Sequence, residues 1–204
     1  MIKVDFHIHT VYSKDSFNSI NVIKKICKKK GIFPVITDHN TIKGALKLKN
    51  CIVGEEIKTK DGEIIGLFLN EEIKKGLSIE ETVEKIKEQD GLVYVPHPFD
   101  KLRSCVKRLN FKKDIFEVFN SRSLFQVFNR KAFEYAKRHN ILMAVGSDAH
   151  LPIEIGKSYV IMEEFNLEEK KELLRNLKNA KFHTEKSLPF VHIVSTIAKR
   201  IRIF

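Results

Sequence analysis

The chain has 204 residues, of which 43% are hydrophobic and 31% charged, a balance that suits one soluble globular domain of moderate size. It contains no run of about 18 uncharged apolar residues, so a membrane-spanning helix is not expected. Its three scattered cysteines, Cys27, Cys51 and Cys105, form no CxxC pair and read as small buried hydrophobes in a reducing compartment rather than as a zinc site or a disulfide frame. No secretory signal is expected, and cytoplasm is the default compartment. The net charge of +11 favours acidic partners, although lysines such as Lys24, Lys25 and Lys28–Lys30 read first as solvated helix faces.

In chain order, residues 4–8 read as a strand, followed by a loop and a helix over about 18–30. Strands follow at 32–36 and 52–57, the latter entering a hairpin that turns at Asp61-Gly62. Ser78 and Glu81 form a capping-box pattern that opens a helix to about residue 89. Strands at 92–95, 115–119, 141–145 and 158–162 alternate with a long helix over 125–138, and a helix over about 167–178 follows. Such alternation predicts an α/β fold with a helix-covered, mainly parallel sheet.

The polar residues fall in a pattern. His7 and His9, Asp38-His39, Glu55-Glu56, His97, Asn120, and Asp148 with His150 each stand at or just past the end of an apolar run. In a βα barrel such strand ends converge on one rim, where active sites are built. On an extended chain residues two apart share a side, so His7 and His9 can grip one ion, and Asp148 and His150 repeat that spacing. In 54–56 two carboxylates take opposite faces of a strand. One looks into the barrel and the other is a surface charge. Asp38 either binds metal, accepts a hydrogen bond from a ligating imidazole, or caps the next helix. His97 is bracketed by Pro96 and Pro98, which stiffen the strand exit. Asp15 is a further candidate ligand or a helix-leading acid. Arg103 and Arg122 are candidate phosphate clamps, since guanidinium matches phosphate with two parallel donors, or simple surface arginines.

The ordered set Asp5-Phe6-His7-Ile8-His9-Thr10, Thr37-Asp38-His39-Asn40, Gly54-Glu55-Glu56, Pro96-His97-Pro98 and Gly146-Ser147-Asp148-Ala149-His150 resembles the PHP superfamily, named for polymerase and histidinol phosphatase. The resemblance spans residues 2 to about 161. It implies a distorted seven-stranded (β/α) barrel with two or three divalent ions, manganese, zinc or iron, at the C-terminal rim. By matched position it implies His7, His9, Asp15, His39, Glu56, His97, Asp148 and His150 as ligands, with Glu55 facing outward. Some members carry a histidine or cysteine ligand after the fifth strand, where this chain has Glu117 and Asn120. The implied activity is hydrolysis of a phosphate ester by a metal-activated water, on a small phosphorylated metabolite or nucleotide. A nuclease or oligonucleotide-trimming phosphodiesterase is the alternative that the positive charge suits, and a metal-retaining module without turnover is a third.

The barrel is expected over 1–187, and 188–204 as a basic amphipathic tail. Val194, Ile197, Ile201 and Phe204 have helical spacing there, either packed on the barrel or touching a membrane or partner.

Overall fold

The computed structural model describes residues 1–201, apart from the side chains of 199 and 201. The elements run β1 (Ile2–Ile8), α1 (Ile20–Lys30), β2 (Ile32–His39), α2 (Lys43–Leu48), β3 (Ile52–Thr59), β4 (Gly62–Leu67), α3 (Ile79–Glu88) and β5 (Leu92–Val95). They continue with β6 (Ile115–Asn120), α4 (Gln126–Arg138), β7 (Leu142–Gly146), β8 (Tyr159–Met162), α5 (Lys170–Leu177), β9 (Lys181–His183) and α6 (Phe190–Ile201). Local chemistry accounts for the helix starts. Ser19 caps α1 by accepting from Val22 N, and Ser78 with Glu81 forms the expected capping box of α3.

One sheet holds all nine strands in the order β7-β6-β5-β4-β3-β2-β1-β8-β9. β1–β2–β3 and β5–β6–β7 pair in parallel, and β4 runs antiparallel between β3 and β5. The sheet curls until Ile8, at the end of β1, bridges in parallel to Ala149, just past β7. His9 N donates to Ala149 O and Ala149 N to His7 O across that seam. The seven strands β1–β7 thus make a nearly closed ring. It closes at the C-terminal end of β1, while β8 pairs antiparallel with the first half of β1 and β9 extends beyond it. The expected seven strands account for the ring, and two further strands enlarge the sheet.

Phe6, Ile65, Tyr94 and Phe116 are fully buried in the main apolar core. A second cluster lies under α1 and α2, where Ile23, Ala45 and Leu48 pack against Ile8 and Ile36. Cys27 and Cys51 are free and buried in this cluster, as small hydrophobes.

The tail helix α6 buries Val191, Ser195 and Ala198, whereas Ile193 and Ile197 are exposed. Val191, Ser195 and Ala198 make its inner face, and Val194 is half-buried beside them. Phe204 and the side chain of Ile201 lie outside the described residues. No helix among those described is long and apolar enough to cross a membrane.

Candidate metal centre

Ile8 and Ala149 pair across the seam, which lays His7-Ile8-His9 beside Asp148-Ala149-His150. Gly146 permits this approach: a Cβ there would stand 2.4 Å from His7 Cβ and 2.7 Å from Glu117 Oε1. Glu56, on β3, completes the first group. His7 Nε2 lies 3.1 Å from His9 Nε2, 3.6 Å from Glu56 Oε2 and 3.7 Å from Asp148 Oδ1. His9 Nε2 lies 3.4 Å from each of those two oxygens. Four donors each about 2.1 Å from one ion in tetrahedral array stand about 3.4 Å apart. The five distances, between 3.1 and 3.7 Å, lie near that value, in a fully buried setting.

The imidazoles are held from behind. His7 Nδ1 contacts Glu117 Oε1 at 3.0 Å, and His150 Nδ1 contacts the Asp148 carbonyl at 2.9 Å. His9 Nδ1 sits 3.1 Å from Ser13 Oγ, whose hydroxyl donates to Asp38 Oδ1 at 2.6 Å. With these acceptors behind them the Nδ1 atoms are the donors, and each Nε2 faces the cluster, where an ion would take its lone pair. Asp38 therefore touches no imidazole. It accepts from Thr10 N, Thr10 Oγ1 and Ser13 Oγ, and acts on His9 at one remove. Asp5 is a strut of the same kind, accepting from Ser147 N and Gly156 N, and burial raises its carboxyl to about 6.

Two further groups flank the first. Asp15 Oδ2 is 3.5 Å from His39 Nε2 and Asp15 Oδ1 is 3.4 Å from His150 Nε2. On the other flank His97 Nε2 lies 3.0 Å from Glu56 Oε1 and 3.8 Å from Glu63 Oε2. Glu56 thus offers Oε2 to one group and Oε1 to another. Positive φ at His97 (30°) and Asp148 (53°) marks strained backbone at two strand exits that present candidate ligands. Glu117, under His7, also accepts from His97 N and Asn120 Nδ2, so it supports the cluster from behind.

The electrostatics favour cations. Burial lowers the pKa of His7, but Asp148, Glu117 and Glu56 outweigh it and raise it well above the usual value. His39 behaves likewise, burial being overcome by Glu56 and Asp15. His9 is held low by burial and by the neighbouring His150 and His39. Burial alone would raise Asp148, yet Arg103 and His7 hold it well below the carboxylate range. Burial and the nearby Glu56 charge push Glu63 up. Asp15 Oδ1, Glu56 Oε2, His97 Nδ1 and Asp148 Oδ1 are buried without a hydrogen-bond partner. So many unpartnered donor atoms of imidazole and carboxylate type fit divalent ions.

The remaining expected residues separate. Arg103 enters the site, its Nη1 in contact with Asp148 Oδ2. Arg122 is buried beneath α6. Its Nη2 donates to Val191 O at 3.1 Å and Ser195 Oγ at 2.5 Å, and its Nε faces Glu154 at 3.4 Å. Glu154 in turn accepts from His150 N and Leu151 N, so Arg122 ties the tail helix to the His150 loop and its guanidinium is taken up there. Glu55, expected at the surface, is fully buried outside the ring, where it accepts from Ile73 N under the 68–73 loop. Burial lifts its carboxyl to about 7.

Glu63 escaped sequence reasoning because β4 runs backwards. Its rim residue opens an apolar run instead of closing one. His192, on α6, also drew no signal. Burial lowers its pKa, with Arg122 and Arg103 adding to that, so it lies within electrostatic reach of the rim. A cavity of about 550 Å³ opens beside the cluster, lined by Asp15, His39 and Glu63 together with Tyr12, Lys14, Lys43, Lys58 and Lys75.

The PHP-associated family model matches residues 127–182, and the ordered motifs that resemble the PHP superfamily meet on one rim of the barrel. The uncharacterized protein MJ0417 of Methanocaldococcus jannaschii is 42% identical over 181 residues, 84% of this chain and 75% of that protein. Among solved structures, a Bacteroides vulgatus two-domain protein described as containing a predicted PHP-like metal-dependent phosphoesterase superposes with a TM-score of 0.72 at 19% identity. That match covers 90% of this chain but only 65%, under two thirds, of the Bacteroides chain. PsfC from Pseudomonas syringae also gives 0.72, at 15% identity, covering 98% of both chains.

Proposed function

We propose that this protein is a metal-dependent phosphoesterase that hydrolyses a phosphomonoester of a small metabolite or nucleotide. The observation that carries the reading is that His7 and His9 Nε2, 3.1 Å apart, both face Glu56 Oε2 and Asp148 Oδ1 at 3.4–3.7 Å. In this reading His7, His9, Glu56 and Asp148 hold one ion, Asp15, His39 and His150 hold another, and Glu56 and His97 begin a third position. When bound, manganese, zinc or iron supplies Lewis-acid polarisation of a phosphoryl oxygen and an acidified water.

The chain's own residues do the rest. Ser13, Glu117 and the Asp148 carbonyl keep the imidazole protons on Nδ1, so the Nε2 atoms stay available without rearrangement. Arg103 offers a fixed positive charge beside Asp148, suited to a phosphoryl oxygen. The cavity has nucleotide dimensions, and its four lysines favour an anionic substrate with Tyr12 available to a ring. We read 1–187 as the catalytic barrel and 188–204 as a tail whose helix α6 braces the His150 loop through Arg122. Three free cysteines fit a reducing, cytoplasmic setting.

The test is a chelator-treated protein assayed with para-nitrophenyl phosphate, its bis ester, nucleoside monophosphates and short oligonucleotides. Monoester hydrolysis restored by added manganese, zinc or iron is expected. Turnover confined to oligonucleotides would replace the reading with a nuclease, and no turnover of any ester would sink it.

A further inference from the structure

We propose that Glu63 is a protein ligand of a divalent cation held between Glu56 and His97, so that the antiparallel strand β4 supplies part of the metal centre. This rests on the reading of the cluster as a metal site and extends it to a residue outside the ordered motifs. The topology delivers Glu63 there. β4 enters the ring at its first residues, on the rim where the parallel strands end, and pairs Glu63 with Lys58 of β3. Residues directly opposite in an antiparallel pair share a face. Lys58 stands two residues beyond Glu56, so Glu56, Lys58 and Glu63 all look inward and toward the mouth. Lys58 and Glu63 accordingly line the same cavity.

The distances suit an ion. Two atoms each about 2.1 Å from one cation stand about 3.0 Å apart at right angles and up to about 4.2 Å apart in line. His97 Nε2 lies 3.0 Å from Glu56 Oε1 and 3.8 Å from Glu63 Oε2, within that range. One donor atom from each of the three residues falls within 4.8 Å of the other two. His97 is 3% and Glu56 1% exposed, so both are held out of water. No described residue donates a hydrogen bond to the Glu63 carboxylate, whose nearest ionic contact is His97. Neither sixth-strand acid or amide competes for the position. Glu117 faces His7, Tyr94, His97 N and Asn120, and Asn120 Nδ2 bridges Glu117 and Asp148. The cation would belong to the oxygen-tolerant divalent class, manganese, iron or zinc, because two of its three protein donors are carboxylates.

The experiment counts ions. Wild type, Glu63→Gln and Glu63→Ala are stripped with chelator, reloaded with manganese, desalted and measured for bound metal per chain, with circular dichroism as a check on folding. Both variants are expected to hold about one ion fewer than wild type while keeping the rest, and Glu63→Asp to recover part of the loss. Variants that hold as many ions as wild type would overturn the inference and leave the phosphoesterase reading intact. In that case Glu63 serves as a counter-charge to Arg103, and the variants differ from wild type only in metal-free thermal stability. Wild type that holds no ion would overturn both.

Discussion

Two triplets lie side by side across the seam of the barrel, His7-Ile8-His9 on β1 and Asp148-Ala149-His150 after β7, and their outer residues are spaced alike. The first triplet is extended, and both its Nε2 atoms face the same two carboxylate oxygens. The second begins with Asp148 in the left-handed region, at φ 53°, and its residues part company. Asp148 Oδ1 joins the His7–His9 group, while His150 Nε2 faces Asp15 next door. Equal spacing puts two side chains on one point only where the backbone is regular. The left-handed residue turns Asp148 and His150 toward different partners, whereas His7 and His9 share theirs and His9 alone of that pair also reaches the His39–His150 group.

The largest effects should test this directly. Each of His7→Ala, His9→Ala, Asp148→Asn and His150→Ala should lower kcat/KM at least about 10³-fold, since ligands acting as a unit are grossly non-additive. Metal content separates the pairs. The His7→Ala/His9→Ala double variant should lose no more ions than His9→Ala alone, since His9 stands in both groups and His7 in one. The Asp148→Asn/His150→Ala double should lose one more than either of its parents. Equal losses in the two doubles, by elemental analysis, would show that the triplets do not differ.

Most of the ring and much of its rim were legible in the sequence. Apolar runs ending in His7, His39, Glu56 and His97 mark strand ends, because a barrel gathers its polar residues there. What stayed hidden depends on direction and on contacts far apart in the chain. Glu63 opens its run, and β4's reversal appears only in the register of the hairpin. Arg122 looked free until α6, about 70 residues on, covered it. β9 has three residues, too few for any periodicity. Asp148 and His150 were singled out together, but the separate partners they face depend on a backbone angle that spacing does not encode.

Glu55 and Glu56 are a tighter version of the same comparison, adjacent carboxylates on opposite faces, both buried. Glu56 is held low: burial raises it, but His7 and His39 prevail. Glu55 has only Ile73 N to offset its burial and sits at about 7 instead of 4.5. The sign follows from proton counts. Between pH 4.5 and 7 the folded chain keeps a proton on Glu55 that the unfolded chain has released, so stability falls as pH rises through that window. Glu55→Gln retains the acceptor for Ile73 N without the charge. Its Tm should exceed that of wild type by about 5 °C at pH 8, and match it near pH 4. A gain of the same size at both pH values would mean that packing, not ionisation, is responsible.

The smallest effect isolates the left-handed residue itself. Asparagine tolerates the left-handed region better than alanine, by roughly 0.5–1 kcal/mol, because its short amide bonds locally. In metal-free protein, Asp148→Asn and Asp148→Ala both remove the charge, so its loss cancels between them. Asp148→Asn should then melt about 2–4 °C above Asp148→Ala, the shift expected of a chain this size. At His9, where β1 delivers an extended backbone, the same two replacements should differ by less than about 1 °C, since neither is asked to adopt positive φ. Differential scanning fluorimetry on the four variants reads both differences. If the asparagine advantage appeared equally at the two positions, or at neither, backbone strain at Asp148 would not be what separates the triplets, and the cause would lie with the residues each carboxylate or imidazole faces.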